Sequence, residues 1–296
     1  MKEFIQRINK INPAILDGLI NKKEFSFRIN RHKANKSVID ELKKEGFFPK
    51  EVNWSEFVYT LPIEDRKKIV KSKPYTSNKI YIQNLSSIIS ALSLDVKEND
   101  WVLDLAAAPG GKSLIFSEIA KKVSAVEKDK KRFFRMKRNF KEHLAKNIQT
   151  YNKDGRFIYK ATGEMFDKLF LDAPCSSEAH IDLNEDITWW SLKRVKRFSK
   201  LQKELLISAF NALKKGGEMI YAACTFSPEE NEGNIDFLLK TFNNAKLLEV
   251  NLPIDNIQEG ITNWEEKKFN KEVKKCIRII PFNAYSGFFF AKIKKL

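Results

Sequence analysis

Cysteine and histidine are both scarce, with three of each among 296 residues. Three scattered cysteines build no even disulfide framework, and none forms a Cys-x-x-Cys metal pair. So few histidines leave little for a zinc centre, and no metal is expected. Unpaired thiols point to the reducing cytoplasm. Long apolar runs are missing too: no stretch approaches the roughly 20 uncharged residues of a membrane helix. The start, Met1-Lys-Glu-Phe-Ile, has no apolar core of the signal-peptide kind. Acidic charge is in deficit, 38 Asp and Glu against 54 Lys and Arg, a formal net charge of +16. Any one basic run is ordinarily a solvated face. A surplus carried by the whole chain favours a polyanionic partner, nucleic acid before a membrane. What is present argues against disorder: hydrophobic residues make up 43%, with 23 Phe and five Trp. No internal repeat or low-complexity tract appears, and a monomer is expected.

The pattern along the chain divides in two. Residues 1–75 read as a small α+β unit. Apolar residues Phe4 to Leu19 have helical spacing interrupted by Pro13, Phe25 to Asn30 alternate like a strand, Ser37 to Glu45 read as a helix, and Trp54 to Leu61 as a second strand. Lys71 to Asn78 is the expected linker. From 76 to 296 helices alternate with strands at Trp101 to Leu105, Val123 to Glu127, Ile148 to Tyr151, Leu169 to Leu171, Glu218 to Ala223, Lys246 to Val250 and Phe288 to Ile293. Such alternation predicts an α/β fold with a mostly parallel sheet covered by helices.

Two features sit where strands should end, the place where an open α/β sheet forms its ligand crevice. The first is Val102-Leu-Asp-Leu-Ala-Ala-Ala-Pro-Gly-Gly-Lys-Ser113, a strand, a Gly-rich turn and a helix start. It is neither Gly-x-Gly-x-x-Gly nor a phosphate-binding Gly-x-x-x-x-Gly-Lys-Ser. Small residues let the backbone approach a ligand. Glu127, ending the next strand, is placed to accept hydrogen bonds from ribose hydroxyls. Together they point to a nucleoside cofactor. Asp154 after the third strand suits an adenine amino group, although its Asp-Gly context also fits a plain turn. The second feature is a pair of thiols. Cys175 lies in Lys168-Leu-Phe-Leu-Asp-Ala-Pro-Cys-Ser176, and Cys224 in Glu218-Met-Ile-Tyr-Ala-Ala-Cys-Thr225. A thiol in such a loop, beside a carboxylate such as Asp172, is set for covalent chemistry. Cys276 has no such context and reads as structural.

The motifs together resemble the S-adenosylmethionine-dependent RNA cytosine methyltransferases of the NOL1/NOP2/Sun (RsmB/NOP) group, which make 5-methylcytosine. The matches are Phe27-Arg-Ile-Asn30, Gln83-Asn-Leu-Ser-Ser87, Leu103 to Lys112, Asp172-Ala-Pro-Cys-Ser176, Cys224-Thr-Phe-Ser-Pro-Glu-Glu-Asn-Glu232, Arg278-Ile-Ile-Pro281 and Gly287-Phe-Phe289. The resemblance implies a Rossmann-like seven-stranded methyltransferase sheet, a small α+β N-terminal domain that binds RNA, and tRNA or rRNA as substrate. It implies that S-adenosylmethionine meets Ala106, Ala107, Ala108, Pro109, Gly110, Gly111, Lys112, Glu127, Arg132, Asp154 and Asp172. It implies that Cys224 attacks carbon 6 of cytosine and Cys175 assists release, whereas DNA cytosine methylases attack from the Pro-Cys loop. Asp172, holding a proton, would serve ring nitrogen 3. The chain departs from the group in having Ala106 where Cys is usual and Ala223 where Thr is usual. It also has Ser176-Ser-Glu-Ala-His-Ile181 where Ser-Gly-Thr-Gly is usual, a loop expected to approach the target nucleotide. Lys193 to Lys200, Lys130 to Arg135 and Arg28 to Lys36 are candidate phosphate contacts. A catalytically idle RNA-binding factor, or a methylase acting on DNA or protein, is the alternative.

Overall fold

Pro13 lacks an amide hydrogen to continue a helix, so the first apolar stretch splits into α1 (Lys2–Ile11) and α2 (Ala14–Ile20). The computed structural model describes residues 1–21 and 23–296. After α2 comes an antiparallel sheet of β1 (Glu24–Ile29), β2 (Lys50–Val52), β3 (Ser55–Pro62) and β4 (Ile80–Ile82), in the order β2-β3-β1-β4. One face packs on α3 (Val38–Lys44), burying Phe27, Ile29, Val38, Leu42 and Leu61. The expected linker is structured. It holds α4 (Arg66–Ile69) and α5 (Lys73–Thr76), because the Ser72 hydroxyl accepts from Tyr75 N and Pro74 occupies the first turn. The sheet unit therefore runs through Ile82, beyond the expected end at residue 75. The helices before it go elsewhere: Phe4, Ile8, Ile15 and Leu19 pack against Ile181, Trp190, Phe226 and Ile280 of the second unit.

That second unit begins with α6 (Leu85–Leu92), capped by the Asn84 side chain. Alternation then follows: β5 (Trp101–Leu105), α7 (Gly111–Ser117), β6 (Lys122–Val126), α8 (Lys130–Glu142), β7 (Ile148–Tyr151), α9 (Ile158–Thr162), β8 (Phe166–Asp172), α10 (Leu192–Ala212), β9 (Leu213–Ala223), α11 (Glu232–Thr241) and β10 (Ala245–Leu248). The chain continues through β11 (Ile257–Glu259), a hairpin of β12 (Asn263–Trp264) and β13 (Lys267–Lys268), then β14 (Ile277–Ile279) and β15 (Phe288–Lys295). The main sheet has nine strands in the order β11-β14-β15-β9-β8-β5-β6-β7, with β10 also on β15. The seven expected strands are all in it, and β14 and β11 extend one edge. Five central strands are parallel and β15 is antiparallel. This is a Rossmann-like methyltransferase architecture.

Lys215-Gly-Gly217 lies inside β9, ahead of the strand start expected at Glu218. β9 starts at Leu213, and its pairing with β8 slips between Phe166 and Lys168, so the glycines sit in a bulge. Among the described residues no helix is long and apolar enough to cross a membrane. The carboxyl ends of β5, β6, β8 and β9 lie along one edge of the sheet, with the Gly-rich turn, Glu127, Cys175 and Cys224 at or just beyond them.

Candidate active site

The Gly-rich loop leaves β5 through Ala106 at φ +70°, a left-handed conformation that costs a residue with a Cβ some strain. Gly110 has φ +103°, and a Cβ there would stand 2.4 Å from a ring carbon of Phe140. Glycine is thus required twice over at that position, by conformation and by space. Arg132 secures the loop from outside, its guanidinium donating to Ala108 O at 2.6 Å. Arg28 secures it from the N-terminal sheet. Buried at 3% exposure, Arg28 donates to Gly111 O at 3.2 Å and pairs with Glu118 at 2.7 Å. Arg28 is therefore not a phosphate contact; its guanidinium is consumed inside the protein.

Two adjoining hollows share Ala106. One, about 150 Å³, is lined by Asp104, Ala106 to Pro109, Gly111, Lys112 and Asp172. The other, about 90 Å³, is lined by Glu127, Arg132, Asp154, Pro174 and Leu205. Each contains a buried acceptor without a hydrogen-bond partner: Asp104 Oδ1 in the first, Glu127 Oε2 in the second. Such orphans are costly unless a ligand meets them. Burial pushes the Asp104 carboxyl up to about 6, against one hydrogen bond from Ser113. Glu127 Oε1 is engaged by Asp129 N, leaving Oε2 turned to the hollow with the Arg132 guanidinium 3.5 Å away. Two unpaired acceptors in linked hollows fit a ligand rich in donors, such as a nucleoside joined to an amino acid. Asp154 lies on the same wall. Hydrogen bonds from Arg156, and an ion pair with Lys128, hold its carboxyl well below the usual range.

Asp172 ends β8 and forms an ion pair with Lys112 at 2.6 Å. Burial lowers the Lys112 ammonium, but the adjacent Asp172 charge outweighs it and the net direction is upward. Beyond β8 and β9, Asp172 lies opposite Ala222, so Cys175 and Cys224 emerge on neighbouring loops. Their sulfurs are 3.2 Å apart. The hydrogen bond from Cys175 draws the Cys224 thiol well below its ordinary value, and the His180 imidazole adds to this against the opposing effect of burial. Cys175 moves the other way, held protonated by that same bond and by burial. Cys276 is buried in the main core, its thiol pushed up by burial.

Sequence reasoning missed what surrounds the thiols. Glu178, expected on a loop facing the nucleotide, is 1% exposed and points inward at the Cys224 loop. His180, exposed on the same loop, lowers the Cys224 thiol through its imidazole. An acid and a histidine in a polar loop carry no periodicity that would reveal either contact. Trp190 packs, donating to Glu178, and Trp189 is exposed.

Residues 91–294 match the family described as 16S rRNA methyltransferase RsmB/F. The tRNA (cytosine(49)-C(5))-methyltransferase of Pyrococcus abyssi is 32% identical, covering 99% of this chain and 98% of that protein. The ribosomal RNA small subunit methyltransferase F of Vibrio campbellii is 29% identical over 99% of this chain, which spans 63% of its length. The human 28S rRNA (cytosine(4447)-C(5))-methyltransferase is 32% identical over 75% of this chain and 28% of its own. Among solved structures, a methyltransferase homologue from Pyrococcus horikoshii superposes with a TM-score of 0.84 at 26% identity, each chain fully covered.

Proposed function

We propose that this chain, which belongs to the RsmB/F family of RNA cytosine-C5 methyltransferases, methylates its target through a covalent bond between Cys224 and cytosine. S-adenosylmethionine is the methyl donor; bound, it supplies an electrophilic methyl group. The two orphaned acceptors fit it, with Asp104 and the Gly-rich loop receiving the amino-acid end and Glu127 and Asp154 the nucleoside. Arg132 keeps the loop in place.

The meeting of the two thiols, 3.2 Å apart beyond the ends of β8 and β9, carries this reading. A thiolate, not a thiol, is the nucleophile. Cys224 forms a bond to carbon 6 as the 5,6 double bond opens, and the electron pair moves into the ring. Carbon 5 thereby becomes enamine-like and able to accept a methyl group, one difficult step divided into easier ones. The charge comes to rest on ring nitrogen 3, which a protonated Asp172 would meet as donor, and Lys112 supplies positive charge beside the site. After transfer the carbon 5 proton leaves to a base. The electrons of its bond restore the double bond and expel Cys224 as thiolate. Cys175, adjacent and protonated, assists this release. The target base must leave its stack to enter. The relative of equal length carries a tRNA activity, so tRNA is the first substrate to test, ahead of rRNA. The protein acts as a cytoplasmic monomer.

Incubation with radiolabelled S-adenosylmethionine and RNA, followed by nucleoside analysis, should give labelled 5-methylcytosine. Cys224→Ala should abolish transfer. Cys175→Ala should retain the RNA as a covalent adduct, visible as a denaturing-gel shift. Swapped phenotypes would overturn the assignment of roles, and a fully idle wild-type protein would favour an RNA-binding factor.

A further inference from the structure

The two thiol loops are tied to each other by carboxylates in a crosswise manner. Glu178, three residues past Cys175, extends into the Cys224 loop. Its Oε2 accepts from Thr225 Oγ1 at 2.7 Å, Phe226 N at 2.8 Å and Ser227 N at 2.8 Å. Its Oε1 accepts from Ser227 Oγ and Trp190 Nε1, both at 2.7 Å. Glu230, six residues past Cys224, extends back into the Cys175 loop and accepts from Ser176 N at 3.0 Å. Gln202 links the same two loops, donating to Glu230 at 2.8 Å and to Pro174 O at 2.9 Å. Between the acids, Ser176 Oγ meets Thr225 Oγ1 at 2.7 Å, and Ala179 N donates to Cys224 O at 3.2 Å. Both glutamates are buried.

We infer that Glu178 and Glu230 are positioning residues that form a reciprocal brace, each rooted in one thiol loop and holding the other, so that the Cys175 and Cys224 sulfurs are kept 3.2 Å apart. This rests on the reading of Cys224 as the nucleophile. The argument is one of degrees of freedom. β8 and β9 fix the loops only as far as Asp172 and Ala222. Beyond them, a 3.2 Å sulfur contact between residues on separate loops needs cross-links that resist both sliding and splaying. Two backbone amides of the Cys224 loop have Glu178 as their acceptor, and the Ser176 amide has Glu230. A buried amide left without an acceptor is costly. The Ser176–Ile181 segment, where this chain departs from its relatives' pattern, is on this account an anchor for the nucleophile as well as a rim.

The test uses Glu178→Gln in the whole chain, because both Glu178 oxygens accept short hydrogen bonds. Glutamine keeps the shape but turns an amide donor toward other donors. The pH dependence of Cys224 alkylation by iodoacetamide reports its thiolate without RNA or methyl donor. We expect the Glu178→Gln profile to move to higher pH. Single-turnover methyl transfer should fall by about 100-fold, the scale for a misplacement of about 1 Å, while S-adenosylmethionine affinity stays within about twofold. Ser227→Ala, which removes one hydroxyl from Glu178, covers the case in which Glu178→Gln does not fold, and should shift the profile less in the same direction. A folded Glu178→Gln protein with the wild-type alkylation profile and rate would overturn the brace. If wild type fails to methylate cytosine, the proposed function falls, while the alkylation profiles still decide the brace.

Discussion

Glu127 shows at the scale of one residue how position and burial together leave an acceptor oxygen without a hydrogen-bond partner. The sequence places an acid at the end of a second strand. The fold then buries it and satisfies only one of its oxygens. Glu127→Ala should weaken S-adenosylmethionine binding by about tenfold or more, since a lost hydrogen bond to a charged group is worth roughly 1.5–3 kcal/mol. Isothermal titration would show this, with little change in melting temperature. The same scale explains why Cys224 and Cys175 differ. Each residue alone is a thiol in a loop. What sets them in one site is a 3.2 Å contact that no local pattern encodes. Asp172 is the converse case. Its place beyond a strand was legible, whereas its pairing with Lys112, 60 residues earlier, was not.

Among the elements, the run after Cys224 acts as a hub. Its three glutamates leave in three directions. Glu229 pairs with Arg7 of α1 at 2.7 Å, Glu230 holds the Cys175 loop, and Glu232 pairs with Arg278 of β14 at 2.6 Å. Arg278 also donates to Phe226 O within the Cys224 loop. Both members of the Arg278–Glu232 pair are almost wholly buried. Removing one partner leaves an uncompensated charge, so Arg278→Met should destabilise the protein by about 3–5 kcal/mol. Chemical denaturation would measure it; a loss under 1 kcal/mol would show that the charge finds water. The strands themselves were readable because period and turn residues agree. The start of β9 was not, because the Gly-Gly pair that reads as a stop is absorbed as a bulge once β8 lies alongside.

At the scale of the whole molecule, motif residues of the N-terminal unit serve as joints. Arg28 reaches the Gly-rich loop, and Asn30 reaches His143 O. Between this unit and α8 runs a groove of about 590 Å³ that includes Arg66, Arg135 and Arg138 and continues to Tyr81 and Pro109, which also line the cofactor hollow. With a net charge of +16, RNA affinity should fall steeply with salt. Glu in place of both Arg135 and Arg138 should reduce the log–log salt slope by about 2. Filter binding across a salt series would test this, and an unchanged slope would remove the groove from the RNA path. By itself the sequence determined the α/β class, the cofactor loop, the two thiols and the basic surplus, since periodicity, small residues in turns and composition are local properties. Only the tertiary structure decided that α1 and α2 pack on the second unit, that Arg28 is interior, and that Glu178 turns into the Cys224 loop. Those outcomes depend on which segments, distant in the chain, are brought into contact, and burial there changes what a charge or a thiol can do.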